Sequence, residues 1–172
     1  MGVDIRLQIV TMLPRLRRFA HSLAGAADRA DDLVQATCER ALAASDSWHP
    51  GTRLDSWLYR IMQNLWIDDM RRLKTRGQEQ PAEEMFDLVG ENGIATAEAR
   101  IVAGEVLQAL TRLPEDQRAI VSLVCIEELS YREVASILDI PIGTVMSRLA
   151  RGRRALGAML GMAGAETEPA GA

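Results

Sequence analysis

An acidic stretch at residues 77–104 separates two blocks of helix-forming sequence, and it is the strongest constraint on the fold. It contains six acidic residues and one basic residue, for a net charge of −5. Glycine, proline and polar side chains break any regular apolar pattern there, as is typical of a linker. We therefore expect two small domains, at residues 1–76 and 105–160, joined by a flexible linker and followed by a tail at 161–172. One apolar island, residues 85–89, interrupts the linker.

Both blocks consist of strong helix formers, and alternating β-branched patterns are nearly absent. The chain is therefore predicted to be all-α. In the first block, the spacing of apolar residues predicts helices over about 5–24, 28–44 and 53–72. The buried stripe of the third helix is predicted to contain Leu54, Trp57, Leu58, Ile61 and Leu65.

The second block ends in a short helix, a tight turn and a longer basic helix. Ser130 and Glu133 have the spacing of a capping box, which predicts the start of the short helix. The turn follows at residues 139–143, and the last helix runs to about Met159. This order of elements is typical of a helix-turn-helix.

The last helix has two different faces. Ile142, Val145, Leu149 and Leu156 lie on one side, where they can pack against the short helix. The other side carries hydroxyl and guanidinium groups, which suit phosphates and base edges in a DNA major groove. Although the whole chain has a net charge of −4, residues 71–76 and 144–154 contain arginine or lysine and no acid. A solvated basic helix remains the alternative interpretation.

Five segments together resemble the extracytoplasmic-function (ECF) group of RNA polymerase sigma factors. Residues 31–35 (DDLVQ) and 53–61 (RLDSWLYRI) are similar to sigma domain two. Residues 113–118 (LPEDQR), 129–135 (LSYREVA) and 141–149 (PIGTVMSRL) are similar to sigma domain four. The resemblance implies a two-domain transcription initiation factor that binds core RNA polymerase and promoter DNA.

The resemblance also implies which residues bind the polymerase and the minus-ten element. The polymerase-binding surface would lie on the second helix, although acids near a helix N-terminus also favour the helix dipole without any partner. The minus-ten surface would lie on the third helix, where Trp66 could either stack on a base or pack in the core. The polymerase candidates are Asp31, Asp32, Gln35, Glu39 and Arg40, and the minus-ten candidates are Arg60, Asn64, Trp66, Arg71, Arg72, Lys74 and Arg76.

In the same way, the last helix would bind the minus-thirty-five element. One position on each of two surfaces departs from the family pattern. In the polymerase-binding segment Ala36 replaces a usual acid, and in the last helix Met146 replaces an often basic residue. Each departure puts one contact in doubt. Base-reading candidates are Thr144, Ser147, Arg148 and Arg151, and phosphate-binding candidates are Arg153 and Arg154.

By resemblance we also expect an anti-sigma factor as a partner and a stress-response regulon as the target. The apolar island could be a docking point for that partner. A sigma mimic, which sequesters an anti-sigma factor without binding a promoter, is the alternative function. Such mimics usually carry a receiver domain, for which this chain has no room, and they lose their DNA contacts.

Other classes of protein fit the sequence poorly. His21 and His49 are the only histidines, and no catalytic triad or phosphate-binding loop accompanies them, so we do not expect an enzyme. Cys38 and Cys125 lack the spacing of a disulfide framework or a zinc site. We therefore expect no cofactor, no metal, no membrane insertion and a cytoplasmic location.

Overall fold

The computed structural model describes residues 4–77 and 96–162, which consist of helices joined by short turns and loops. The apolar island and the tail beyond residue 162 lie outside the described ranges. Within them no β-strand occurs, so the all-α prediction is confirmed. The helices are α1 (Ile5–Ala24), α2 (Ala27–Ala43), α3 (Leu54–Thr75), α4 (Ala97–Thr111), α5 (Glu115–Val121), α6 (Tyr131–Leu138) and α7 (Ile142–Met159).

Helices α1, α2 and α3 form the first bundle. The Asp4 side chain accepts a hydrogen bond from the Arg6 amide and caps α1, and Gly25, with a φ of 78°, ends it. In the core of the bundle, the rings of Phe19 and Tyr59 meet edge to face with their centroids 5.2 Å apart. This packing fixes the orientation of α3.

The buried face of α3 differs from the predicted stripe. Of the predicted residues, only Leu58 is fully buried; Leu54, Trp57, Ile61 and Leu65 are partly buried at its edge. The other buried apolar side chains of α3 are those of Tyr59, Met62, Trp66 and Met70, which the stripe did not include. The difference arises because α3 contacts α1, α2 and α6 at once, whereas an apolar stripe assumes a single neighbour.

Helices α4 to α7 form the second bundle. After Val121 the α5 helix continues as one π-helical segment, Ser122–Ile126. Helix α7 crosses α5 closely at Gly152, where an added Cβ would lie 2.7 Å from the Val121 side chain. Val134, Val145 and Leu149 join α6 to α7 in a buried contact.

The two bundles pack against each other. Helix α1 contacts α4, α5 and the π-helical segment, and α3 contacts α6. The buried apolar side chains of both bundles form one continuous cluster. Among the described helices, none combines the length and the apolar character that a membrane span requires.

Candidate polymerase and nucleic-acid interfaces

The short helix α6 is held in place for a helix-turn-helix by its caps. Ser130 accepts from the Glu133 amide at 3.3 Å, and the Glu133 carboxylate accepts from the Ser130 amide at 2.7 Å, so the predicted capping box is confirmed. Asp139, in the left-handed region at φ 53°, ends α6, and Pro141 opens α7. These two ends hold α7 across α6 with its polar side turned outward.

The outer side of α7 brings together the side chains predicted to bind the minus-thirty-five element. Ser147, Arg151 and Arg154 are exposed, and Thr144, Arg148 and Arg153 are partly exposed. The Arg153 guanidinium lies 3.6 Å from the Cys125 sulfur. No carboxylate of the described residues pairs with Arg151, Arg153 or Arg154, so these guanidinium groups are available for phosphate. Met146 is also exposed on this helix.

Arg148 has a partner that the sequence did not indicate. Its Nε atom lies 3.2 Å from a carboxylate oxygen of Asp116, at the start of α5. Both side chains are partly exposed, so this ion pair contributes little to stability. Its effect is to hold one guanidinium of the recognition helix in a defined direction.

Helix α3 presents a second polar face. Arg60, Asn64 and Arg71 are exposed and recur at helical spacing on one side, while Arg72 and Arg76 are exposed on another. The Arg60 guanidinium donates to the backbone carbonyl of Ser136 in α6. Lys74 lies 3.8 Å from Glu115.

Trp66 does not belong to this face. Its side chain is 2% exposed, and the Arg29 guanidinium covers the ring at 5.1 Å from the centroid. A ring enclosed in this way cannot stack on a base, so the alternative of core packing applies. The sequence could not decide between them because Trp66 lies at the border between the apolar stripe and the basic residues.

The polymerase candidates share the solvent side of α2. Asp31, Asp32, Gln35, Glu39 and Arg40 are all exposed, and the Gln35 amide donates to Glu39 at 3.0 Å. The buried side chains of this helix, including those of Leu33 and Val34, lie opposite. The acids therefore form an exposed stripe.

A cavity of about 250 Å³ lies between this stripe and α3. The Arg29–Asp69 ion pair, at 3.0 Å, crosses it, and both Asp32 and Arg72 line it. Ala36, where the family pattern has an acid, also lines the cavity. Within residues 4–77 and 96–162, no group of three His, Cys, Asp or Glu side chains is placed to hold a metal ion.

The structure contains a polar network between the two bundles that the sequence did not predict. The Glu127 carboxylate, with no exposed area, accepts from Tyr59 Oη at 2.6 Å and lies 3.2 Å from nitrogens of both Arg15 and Arg18. Burial, reinforced by the Glu127 carboxylate, raises the pKa of Tyr59 well above its usual range. The sequence offered no direct signal, since a single acid after an apolar run is usually exposed.

Two further charged groups lie at the same boundary. Burial alone would raise the pKa of Asp55, but Arg53, at 2.6 Å, and the Ser56 amide hold that pKa below its usual range. Arg118 is 8% exposed, and its guanidinium donates to the Leu23 carbonyl at 2.6 Å and to two carbonyls at the C-terminal end of α4. Burial lowers the pKa of Arg118.

Comparison with known proteins identifies both bundles. Residues 103–156 match the family described as sigma-70, region 4, and residues 9–63 match the sigma2 domain of PhyR. The chain is 40% identical over 163 residues to the ECF RNA polymerase sigma factor EcfG of Rhodopseudomonas palustris, covering 95% of this chain and 88% of that one. It is 31% identical to the ECF RNA polymerase sigma factor SigW of Bacillus subtilis, covering 83% of this chain and 81% of that one.

A solved structure shares the arrangement of the two bundles. It is that of the sigma factor RpoE of Bartonella quintana in complex with the anti-sigma factor NepR. The superposition has a TM-score of 0.78, covers 93% of this chain and 98% of that one, and shows 31% sequence identity. These relatives are named as sigma factors, which are not a class of enzymes.

Proposed function

Because the chain belongs to the ECF RNA polymerase sigma factors, we propose that it binds core RNA polymerase in the cytoplasm and directs it to promoters. Residues 1–76 act as sigma domain two, and residues 105–160 act as sigma domain four. The acidic residues 77–104 join them.

The single observation that carries the proposal is the basic composition of the outer side of α7. That side carries arginines on a capped helix-turn-helix, and no acid occurs from residue 142 to residue 159. Arg148 and Arg151, next to Ser147, supply forked donors and a hydroxyl for base edges of the minus-thirty-five element. Arg153 and Arg154 supply phosphate contacts, which position the helix.

Domain two recognises the minus-ten element through α3. Arg60, Asn64 and Arg71 share one exposed side, and Arg72, Lys74 and Arg76 extend positive charge to the end of the helix. A basic track of this kind suits single-stranded DNA after melting. The acidic stripe of α2 binds the polymerase.

An anti-sigma factor controls this activity, and a stress-response regulon is the target. Support comes from the Bartonella relative, whose structure is that of a complex with an anti-sigma factor.

Transcription in vitro with core polymerase tests the proposal. Adding the protein should produce transcripts from a promoter selected by genomic footprinting, whereas core polymerase alone should not. Arg151→Ala, in α7, should lower the yield, and Met146→Ala, on the same helix without a charged group, is the matched control. No transcripts with any promoter would refute the proposal.

The match of residues 9–63 to the sigma2 domain of PhyR favours a second candidate function, that of a sigma mimic. A mimic would bind an anti-sigma factor but start no transcripts. The same transcription assay, run beside anti-sigma pull-down, separates the two functions.

A further inference from the structure

The contact between the two bundles contains a buried carboxylate, that of Glu127, which the promoter-binding function does not use. The Glu127 side chain has no exposed area, although carboxylates are rarely fully buried without partners. Its partners all come from the other bundle: Arg15 and Arg18 from α1 and Tyr59 from α3. One acid of the second bundle is thus held by three donors of the first.

The backbone around Glu127 is specialised to deliver it there. The π-helical segment Ser122–Ile126 directly precedes it, and the Glu127 amide bonds to the Ser122 carbonyl. Glu128 follows in the left-handed region at φ 57°, which is uncommon for a residue other than glycine. π-Helical segments often occur at functional sites, and this one turns Glu127 into the neighbouring bundle.

Arg118 makes a second connection. It donates to the carbonyl of Leu23 at the end of α1, to that of Thr111, the last residue of α4, and to that of Leu113. The C-terminal end of a helix carries partial negative charge, which favours a guanidinium. Arg118 therefore joins the end of a domain-two helix to domain four.

In this arrangement, domain four covers part of the proposed minus-ten surface. The Ser136 carbonyl accepts from Arg60, and Glu115 pairs with Lys74. Helix α6 also reaches Arg53 through Glu133. Two cations proposed to meet DNA are thus occupied by the chain's own second domain.

The packed arrangement is also too short to span a promoter. The minus-ten and minus-thirty-five elements are 25 base pairs apart by definition, which is roughly 85 Å along the duplex. Helices in direct contact, as α3 and α6 are, have axes about 8–10 Å apart. The two domains must therefore separate before they can read both elements.

We propose that the contact of Glu127 with Arg15, Arg18 and Tyr59 is an autoinhibitory latch, which keeps the free chain closed and lowers its apparent affinity for core polymerase and promoter. The consequence for binding rests on the proposed function, but closure itself does not. In the open chain the charged groups of Glu127, Arg15 and Arg18 are solvated, as is the Tyr59 hydroxyl, so a change at Glu127 acts mainly on the closed state. Opening raises the binding-competent fraction, and the apparent affinity rises with it.

The test uses the full chain and two variants. Glu127→Gln keeps the shape of the side chain but removes its charge, and Tyr59→Phe removes one hydrogen bond while it keeps the ring in the core. Glu128→Gln is the matched control, since it makes the same charge change at the next residue, which is exposed.

Small-angle X-ray scattering on the free protein measures closure. A compact chain of 172 residues has a radius of gyration of about 16 Å, so the closed wild type should lie near this value. The latch variants should exceed wild type by roughly 5 Å or more. Tyr59→Phe should change less than Glu127→Gln, and Glu128→Gln should match wild type. If the wild type is already extended, or both latch variants stay compact, the latch is refuted.

Titration of each variant with core polymerase measures the inhibitory effect. A minor open state is typically populated at 0.1–10%, so full opening should lower the apparent Kd by about tenfold or more. Variants that open without a change in Kd would refute autoinhibition while closure stands. Absence of polymerase binding by every form, with closure intact, would refute the proposed function and not the latch. If Glu127→Gln loses helical signal in circular dichroism, Tyr59→Phe decides both measurements.

Discussion

Replacing Gly152 by alanine tests how closely the recognition helix α7 must approach α5. A Cβ added at Gly152 would lie 2.7 Å from Val121 Cγ2 and 3.4 Å from Gln117 Cβ. Val121 is 1% exposed, so its side chain cannot move into solvent. The backbone of α7 must therefore shift, or the Val121 rotamer must strain.

The expected free energy change combines two opposite effects. Inserting a methyl group into a packed core typically costs about 1–3 kcal/mol. Alanine gains about 0.8–1.0 kcal/mol over glycine inside a helix. The Gly152→Ala variant should therefore lose roughly 0–2 kcal/mol of its free energy of unfolding.

Gly157→Ala in the same helix is the matched control. The nearest atom to a Cβ at Gly157, the Met162 carbonyl oxygen, is 3.9 Å away, an ordinary contact. This variant should be stabilised by up to about 1 kcal/mol, through helix propensity alone. The difference between the two variants thus isolates the crowding, at about 1–3 kcal/mol.

Urea unfolding of the full chain measures both values. A third variant, Val121→Ala, removes the atom that Gly152→Ala would strike, so the double variant should be more stable than the sum of the single changes predicts. The coupling should fall within about 0.5–3 kcal/mol. If the two glycine variants agree within about 0.5 kcal/mol and the double variant is additive, the close approach of α5 and α7 does not exist as described.

Three other outcomes follow from the same structure. Arg148→Ala should cost about 1–3 kcal/mol of discrimination between matched and mismatched minus-thirty-five DNA. Arg154→Ala should instead lower the affinity for all DNA sequences alike and reduce the salt slope by about 0.9. Equal effects of the two variants in a binding titration would contradict this division. Ser130→Ala, which leaves the Glu133 amide without its cap, should cost about 0.5–2 kcal/mol, and an unchanged Tm in calorimetry would contradict the role of the capping box. Burial, ahead of the opposing effect of Asp31, lowers the pKa of His21, so the unfolded chain binds that proton more readily. The contribution of His21 to stability should be complete above about pH 6.5 and fall as the pH drops below it, and His21→Gln should flatten this dependence in urea titrations between pH 5 and 7.

Local features of the fold were predictable from the sequence because their causes are local. The predicted span of α1 agrees with the structure, Ile5–Ala24, since an apolar stripe is followed by Gly25. The capping box at Ser130 and the turn after Leu138 were predicted from side chains within three or four residues of each other. The outward side of α7 followed from the positions of Val145 and Leu149, which are both buried, although Ile142, predicted on the same packed side, is 43% exposed.

What the sequence could not supply depends on contacts between distant segments. The buried side of α3 follows from packing against α6 as well as α1 and α2, and no stripe in residues 54–75 records the position of α6. Trp66 and Glu127 illustrate the same point. An amphipathic ring and a lone acid are each compatible with exposure or burial, and the choice is made by Arg29 in one case and by Arg15, Arg18 and Tyr59 in the other.

The charges of the folded chain explain how an acidic protein can bind DNA and still depend on its polymerase. Several cations proposed to meet DNA have a carboxylate nearby: Arg148 has Asp116, Lys74 has Glu115, and Arg71 has Asp68 at 3.9 Å. Exposed ion pairs of this kind contribute about 0–1 kcal/mol each, so a DNA phosphate or base can displace the carboxylate. The free energy of the lost ion pair is then subtracted from that of the new contact with DNA. The free chain therefore has the geometry of a DNA reader with part of its attraction already satisfied. We therefore expect promoter binding to depend on the polymerase, which would present both domains together and make these losses small against the total.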